Sequence, residues 1–277
     1  MSVRIKIGSG ASFPATTANQ SDLVFWYNDD KKPHYPVPRC EGLKVAAGGT
    51  TSAYQPIPQP AFPVTVQYVC ALHPGETGDL TVQNDPGGPA QAAGTVNATP
   101  KEIAIGPGGT FASIDVVQSD NVVWKNGDRQ THWPVPNCWG LRVNPQAVSN
   151  DAQFFPPPLS APLPISYGCA IEGHESERGS INVYADFTLA AQPVTVSSAT
   201  PYASVPIATG GKSPYVVVPD SSVPYLSVSE TTPVGSSTGL SVVLNAAPPS
   251  TGTINYELNV TDALGNPIHQ SVQIKIT

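Results

Sequence analysis

The sequence predicts an all-β chain: two tandem copies of one β-sandwich or barrel, followed by a third β domain without the repeat's markers. Three observations carry that expectation. Pro and Gly, at 31 and 24 of 277 residues, punctuate the chain, and the remainder is rich in Val, Thr and Ser rather than in helix formers. Short apolar or alternating runs recur between these breakers, as strands closed by turns require. A long internal repeat duplicates the first third of the chain.

The repeat is legible residue by residue. Ile5-Lys6-Ile7-Gly8 returns as Ile103-Ala104-Ile105-Gly106, an offset of 98 that also relates Trp26 to Trp124, Asn28 to Asn126, Asp30 to Asp128 and His34 to His132. Pro36-Val37-Pro38-x-Cys40-x-Gly42-Leu43 recurs as Pro134-Val135-Pro136-x-Cys138-x-Gly140-Leu141. The offset is 99 for Cys70 and Cys169, then 101 for His73, Glu76 and Gly78 against His174, Glu177 and Gly179. Domains over 1–94, 95–187 and 188–277 follow, with the Gly/Pro/Ala-rich stretch from Asn84 to Thr99 as a linker.

Within the repeats, Val64, Val66, Tyr68 and Cys70 share one face of a strand, as do Ile165, Tyr167 and Cys169. Leu23 to Trp26 and Val122 to Trp124 read as strands buried on both faces. In the third domain Ile254, Tyr256, Leu258 and Val260 alternate with Asn255, Glu257, Asn259 and Thr261, giving one dry face and one wet face. Asp262 to Asn266 reads as the turn of a hairpin.

Composition excludes several classes of function. The net charge is −7 and the 13 basic residues are scattered, so binding of nucleic acid through phosphate contacts is not expected. No stretch approaches the ~20 apolar residues of a spanning helix, so no integral membrane segment is expected. A basic segment followed by an apolar one is also missing, and the chain reads as a mature secreted, periplasmic or cell-surface protein behind an added Met1.

Each repeat contains an early His, a Cys at the end of an apolar strand, and a second His just past it. Two imidazoles and a thiolate form the ligand set of a trigonal copper site. Trp26-x-Asn28-x-Asp30-x-x-x-His34 and its copy at Trp124 to His132 resemble the first-ligand region of bacterial cupredoxins. Tyr68-Val69-Cys70-Ala71-Leu72-His73-Pro74-Gly75-Glu76-Thr77-Gly78 resembles their ligand loop, with the Cys-x-x-His spacing of plastocyanins. The segment Tyr167 to Gly179 is similar, with the longer spacing of azurins. The C-terminal third more distantly resembles the immunoglobulin-like modules of bacterial surface proteins.

The resemblance implies Greek-key β-sandwiches, with copper held by His34, Cys70 and His73 in the first domain and by His132, Cys169 and His174 in the second. The axial position departs from the family. Where a Met is usual, Glu76 and Glu177 stand two residues before Gly78 and Gly179, and the single Met of the chain is Met1. A carboxylate there would favour Cu(II), lower the potential relative to a thioether, and admit zinc. Four of the five histidines are used in this way, leaving none for a trinuclear cluster, so no oxidase is expected; with no catalytic triad, phosphate loop or carboxylate pair in a convincing context, no other enzyme is expected either.

Two readings stay open. The first is an extracellular copper protein for electron transfer or copper storage, with a redox partner protein. The second is a metal-free structural or adhesive surface protein, stabilised by disulfides that draw on Cys40, Cys70, Cys138 and Cys169, and engaged in self-assembly. Glu76 and Glu177 would then be solvated loop carboxylates. Trp26 and Trp124 are expected in the core, Trp133 and Trp139 near the rim of the second site, and His269 on the surface.

Overall fold

The computed structural model describes residues 2–8, 13–38, 48–49, 61–73, 75–88, 97, 99–136, 162–189, 193–219, 223–234 and 237–277. Among these residues every regular element is a strand, and none forms a helix. The chain forms two compact units, one holding both repeats as far as Val183 except for residues 160–162, and the other holding those three and the chain from Tyr184.

The first repeat comprises β1 (Ser2–Ile7), β2 (Thr16–Asn19), β3 (Leu23–Asn28), β4 (Pro36–Pro38), β5 (Val64–Cys70) and β6 (Thr77–Gln83). Strands β1 and β3 pair in parallel, and the order β2-β6-β5-β4 makes the second sheet. The second repeat comprises β7 (Lys101–Gly106), β8 (Thr110–Phe111), β9 (Ile114–Val117), β10 (Val122–Asn126), β11 (Pro134–Pro136), β12 (Leu163–Cys169) and β13 (Arg178–Tyr184). Its sheets run β10-β7-β8 and β11-β12-β13-β9. The pairing register repeats with the sequence: Ile5 faces Trp26 as Ile103 faces Trp124, Pro36 faces Cys70 as Pro134 faces Cys169, and Tyr68 faces Gly78 as Tyr167 faces Gly179.

An aromatic pair closes each sandwich. Trp26 and Tyr68, from opposite sheets, meet edge to face with centroids 5.7 Å apart, and Trp124 and Tyr167 do the same at 5.6 Å. All four rings are buried, and each such pair contributes about 0.5–1.5 kcal/mol beyond the area it buries. The Tyr68 hydroxyl donates to the Pro14 carbonyl at 3.0 Å, and that of Tyr167 donates to the Ala112 carbonyl. The strand at Leu23 differs from expectation. Val24, Trp26 and Asn28 face inward, Phe25 and Tyr27 are half-buried, and Leu23 is 39% exposed. On the outer face of its two-stranded sheet the Arg4 guanidinium lies 4.2 Å from the centre of the Tyr27 ring. Val123 is half-buried for the corresponding strand β10.

The second unit is a sandwich of β14 (Thr188–Leu189), β15 (Val194–Val196), β16 (Tyr202–Thr209), β17 (Val216–Pro219), β18 (Leu226–Val234), β19 (Ser237–Leu244), β20 (Gly252–Thr261) and β21 (Pro267–Ile276). Its sheets are β14-β16-β19-β18 and β15-β21-β20-β17. Tyr256, Leu258 and Val260 are buried as the alternation requires. Asp262 shapes the β20–β21 turn, its Oδ1 accepting from the backbone N–H groups of Leu264 and Asn266 at 3.0 and 2.9 Å.

Gly78 and Gly179 sit directly beneath the tyrosine rings. A Cβ on Gly78 would lie 2.6 Å from Phe13 Cβ and 2.7 Å from Tyr68 Cζ, and one on Gly179 would lie 2.5 Å from Tyr167 Cζ. Gly78→Ala and Gly179→Ala should each destabilise the protein by about 1–3 kcal/mol through overpacking. Urea unfolding measures this, and unchanged midpoints would contradict the packing described.

Candidate metal centre

The ligand candidates come together because of the register. His34 lies two residues before Pro36, and Pro36 pairs with Cys70, the last residue of β5. The Tyr35 carbonyl accepts from the Ala71 N–H at 2.9 Å, and the Tyr35 N–H points at Cys70 Sγ at 3.3 Å. A tight turn then returns the chain: the His73 N–H donates to the Cys70 carbonyl at 3.2 Å, the Glu76 N–H to the His73 carbonyl at 3.0 Å, and the Cys70 N–H to the Glu76 carbonyl at 2.9 Å. The second repeat builds the same frame. The Ala170 N–H donates to the Trp133 carbonyl at 2.8 Å, the Trp133 N–H points at Cys169 Sγ at 3.3 Å, and the Glu177 N–H donates to the His174 carbonyl at 3.0 Å.

Two four-residue groups result: His34, Cys70, His73 and Glu76, and His132, Cys169, His174 and Glu177. In each, one ligand atom per residue lies within 4.8 Å of all the others. Cys70 Sγ is 3.8 Å from His34 Nδ1 and 3.5 Å from His73 Nδ1. An ion bonded to sulfur at about 2.3 Å and to nitrogen at about 2.0–2.1 Å, with angles between trigonal and tetrahedral, needs a separation of about 3.5–3.8 Å. Glu76 Oε2 is 2.9 Å from His34 Nδ1 and 3.3 Å from His73 Nδ1. Those separations match N–metal–O angles between a right angle and the tetrahedral value at similar bond lengths. These separations in the first group therefore suit a thiolate–imidazole metal ion.

An unmatched polar atom points the same way. His174 Nδ1 is buried and makes no hydrogen bond. Glu177 Oε1 lies only 2.9 Å from it, so the contact is close but lacks hydrogen-bond geometry. A buried nitrogen without a hydrogen bond is costly, and a metal ion among these four side chains would use its lone pair.

The sequence motif preceding each first histidine has a mechanical role. Asn28 Oδ1 accepts from the Asp30 N–H at 2.9 Å, and its Nδ2 donates to the Lys32 carbonyl at 2.7 Å. This turn presents Asp30 Oδ2 to His34 Nε2 at 3.0 Å. Asn126, Asp128 and His132 repeat the arrangement, with Asp128 Oδ2 at 2.9 Å from His132 Nε2. A carboxylate on Nε2 favours a ring proton there, against Glu76 or Glu177 on Nδ1 at 2.9 and 2.8 Å, and a metal ion on Nδ1 would fix that tautomer. The hydrogen bond from His132 holds the Asp128 carboxyl down at about 2. His34 and His132 are both fully buried. Phe13 and Phe111 stand edge-on to them, with centroids at 6.0 and 5.9 Å, and shield them from water.

Cys70 and Cys169 are buried and carry free thiols. Burial pushes the Cys169 thiol up to about 11 against the opposing pull of backbone N–H groups, and raises Cys70 in the same direction. Cys40, Cys138, Trp139 and most of the expected linker lie outside the described residues. Trp133 is not a rim residue: it is 6% exposed, because its backbone is drawn inward to Cys169 and Ala170. Trp26 and Trp124 are core residues, and His269 is exposed, 3.8 Å from Glu257. The supporting roles of Asp30, Asp128, Phe13 and Phe111 were not foreseen. Their signal was the repeat itself, which keeps each Asp four residues before its His and each Phe at the same offset of 98.

No family model matches the chain, and no curated protein does. Among solved structures, it is similar to the I-band fragment I67-I69 from titin at 12% identity and a TM-score of 0.32, over 77% of this chain and 72% of that one. It is also similar to cadherin-like domains 1 to 4 of zebrafish RET at 8% identity and a TM-score of 0.27, over 100% and 73%. A third is the human desmocollin-1 ectodomain, at 12% identity and a TM-score of 0.28, over 77% of this chain. The chain spans 44% of that ectodomain's length.

Asp128→Ala should release the His132 ring to the other tautomer and weaken zinc binding at the second site by about 10–100-fold. Asp128→Asn, which keeps an acceptor for Nε2–H, should recover most of the loss. Nitrogen-15 shifts of the imidazole read the tautomer directly; an Nε2-protonated ring in the alanine variant would contradict the positioning role.

Proposed function

We propose that this chain is a secreted, periplasmic or cell-surface copper protein with two cupredoxin-like sites. The observation that carries the reading is the gathering, in both repeats, of one free thiol, two imidazoles and one carboxylate whose ligand atoms all lie within 4.8 Å of one another. The sequence resemblance to cupredoxins supports it, since the same residues are matched by motif.

Bound copper would supply a one-electron couple. The chain supplies the rest. Asp30 and Asp128 orient the buried imidazoles, Phe13 and Phe111 keep water from them, and Cys70 and Cys169 provide the soft donor that stabilises Cu(I). Glu76 and Glu177 are hard anionic donors that favour Cu(II) and lower the potential. The outer histidines, His73 and His174, have side chains 30% and 17% exposed, against 0% for His34 and His132. They form the edge through which a redox partner protein would exchange electrons. One thiolate per site suits a carrier better than a store, which needs many soft donors per chain. Zinc fits the same donors.

Because the thiols are held protonated, metal binding must displace a proton at each site, and affinity falls as pH is lowered. Anaerobic titration with Cu(II) should give two equivalents bound and an intense thiolate-to-copper absorption band. Zinc titration in weak buffer near neutral pH should release at least one proton per ion. Cys70→Ser and Cys169→Ser should each remove one equivalent. Protein with all thiols reduced that takes up no metal would overturn the proposal.

A role in surface assembly is the second reading, favoured by the exposed apolar strand of the C-terminal unit. Val216 and Val218 are 58% and 51% exposed on β17, an edge of its sheet among the described residues. Such an edge is a template for pairing with another copy. If it mediates self-assembly, light scattering should show oligomers that Val216→Lys with Val218→Lys returns to monomer; a monomeric parent chain would remove this reading.

A further inference from the structure

The two candidate centres differ in how the carboxylate is presented. In the first, one oxygen serves both imidazoles: Glu76 Oε2 is 2.9 Å from His34 Nδ1 and 3.3 Å from His73 Nδ1. In the second, the oxygens divide. Glu177 Oε2 is 2.8 Å from His132 Nδ1, and Oε1 is 2.9 Å from His174 Nδ1. The carboxylate of Glu177 thus lies across its site, whereas that of Glu76 points one atom into it.

The turn between β7 and β8 packs against the second carboxylate. Gly109 is buried at φ +71°, and a Cβ there would fall on Glu177 Oε1 and Cδ and lie 2.9 Å from Cγ. No side chain fits at this position while Glu177 lies where it does. By the offset of 98 that matches Phe13 to Phe111, the first repeat carries Ala11 at the corresponding position, outside the described residues. Gly108, next to it, has nearly the same φ of +72° but nothing within 4 Å of its Cβ position. It makes a control for the backbone strain that any side chain meets at positive φ.

We infer that Gly109 makes the two sites inequivalent, by leaving room for Glu177 to offer both carboxylate oxygens to a divalent ion where Glu76 offers one. This rests on the metal-site reading above. It follows that the second site accepts a higher coordination number and prefers borderline or hard divalent ions, while the first is nearer to a four-donor site suited to copper in either oxidation state.

Co(II) is a suitable probe, because its ligand-field bands intensify as coordination falls from five to four. The full chain with Cys70→Ser isolates the second site, and the full chain with Cys169→Ser isolates the first. The second site should give the weaker bands. In the Cys70→Ser background, Gly109→Ala should intensify them and weaken Co(II) binding by about tenfold, the scale of an outer-shell loss. Gly108→Ala should do neither. Glu177→Gln, which leaves the turn untouched but keeps one carbonyl oxygen, should give the same spectral change as Gly109→Ala, so the question is answered even if the turn variant folds poorly. Equal spectra for Gly109→Ala and Gly108→Ala, or bands unmoved by Glu177→Gln, would overturn the inference. No Co(II) bound by the Cys70→Ser chain itself would instead remove the metal-site reading, and this inference with it.

Discussion

A histidine with no exposed surface must find a partner for each ring nitrogen inside the protein, and that requirement organises both repeats. In each, an aspartate four residues earlier takes Nε2. The other nitrogen is thereby committed to the space between the β5 and β6 ends, or their counterparts in the second repeat. Cys70 and Glu76, or Cys169 and Glu177, already face that space because the sheet register brings them there. Removing the aspartate frees the ring, and the cage has no fixed inner wall.

Gathering four polar groups into a largely apolar interior is unfavourable unless each is matched. The surroundings show how the cost is offset. Trp26 with Tyr68, and Trp124 with Tyr167, form a rigid base in which every ring is buried. The glycines at 78 and 179 allow those tyrosines to pass close to the ligand-loop ends. Backbone N–H groups of Tyr35 and Trp133 approach the sulfurs at 3.3 Å, providing partial charge where a thiolate would sit. The two repeats are also joined by backbone pairing: Gly48 N–H donates to the Asn126 carbonyl and Asn126 N–H to the Gly49 carbonyl, each at 2.9 Å. Asn126 is the residue whose side chain shapes the turn carrying Asp128, so the first repeat braces the second centre.

Much of this was legible in the sequence. The all-β class, the absence of helix among the described residues, and the alternating strand at Ile254 to Val260 follow from breakers and period. The four members of each cluster were legible because both repeats keep them, together with Trp26, Asn28 and Asp30 and their counterparts. What escaped was anything set by contact across the fold. The Asp–His pairing was visible only as spacing, since nothing in a sequence states which carboxylate reaches a ring nitrogen. Trp133 was expected near a rim, because a tryptophan beside a candidate ligand histidine does not reveal that its backbone is pulled inward by Cys169. The strand β16 was not foreseen, as Pro206 interrupts its pattern and its pairing continues past the proline through an irregularity before Ala208. The room that Glu177 occupies depends on Gly109, a glycine almost seventy residues away in the chain.

The central claim is that a sulfur, two imidazoles and a carboxylate meet at one ion in each repeat. X-ray absorption at the zinc edge, on chain loaded with two equivalents, reads that coordination without reference to any activity. One sulfur per zinc at about 2.3 Å, with the remaining neighbours nitrogen or oxygen at about 2.0–2.2 Å, is the expected result. A shell of nitrogen and oxygen alone, with no sulfur, would contradict the account.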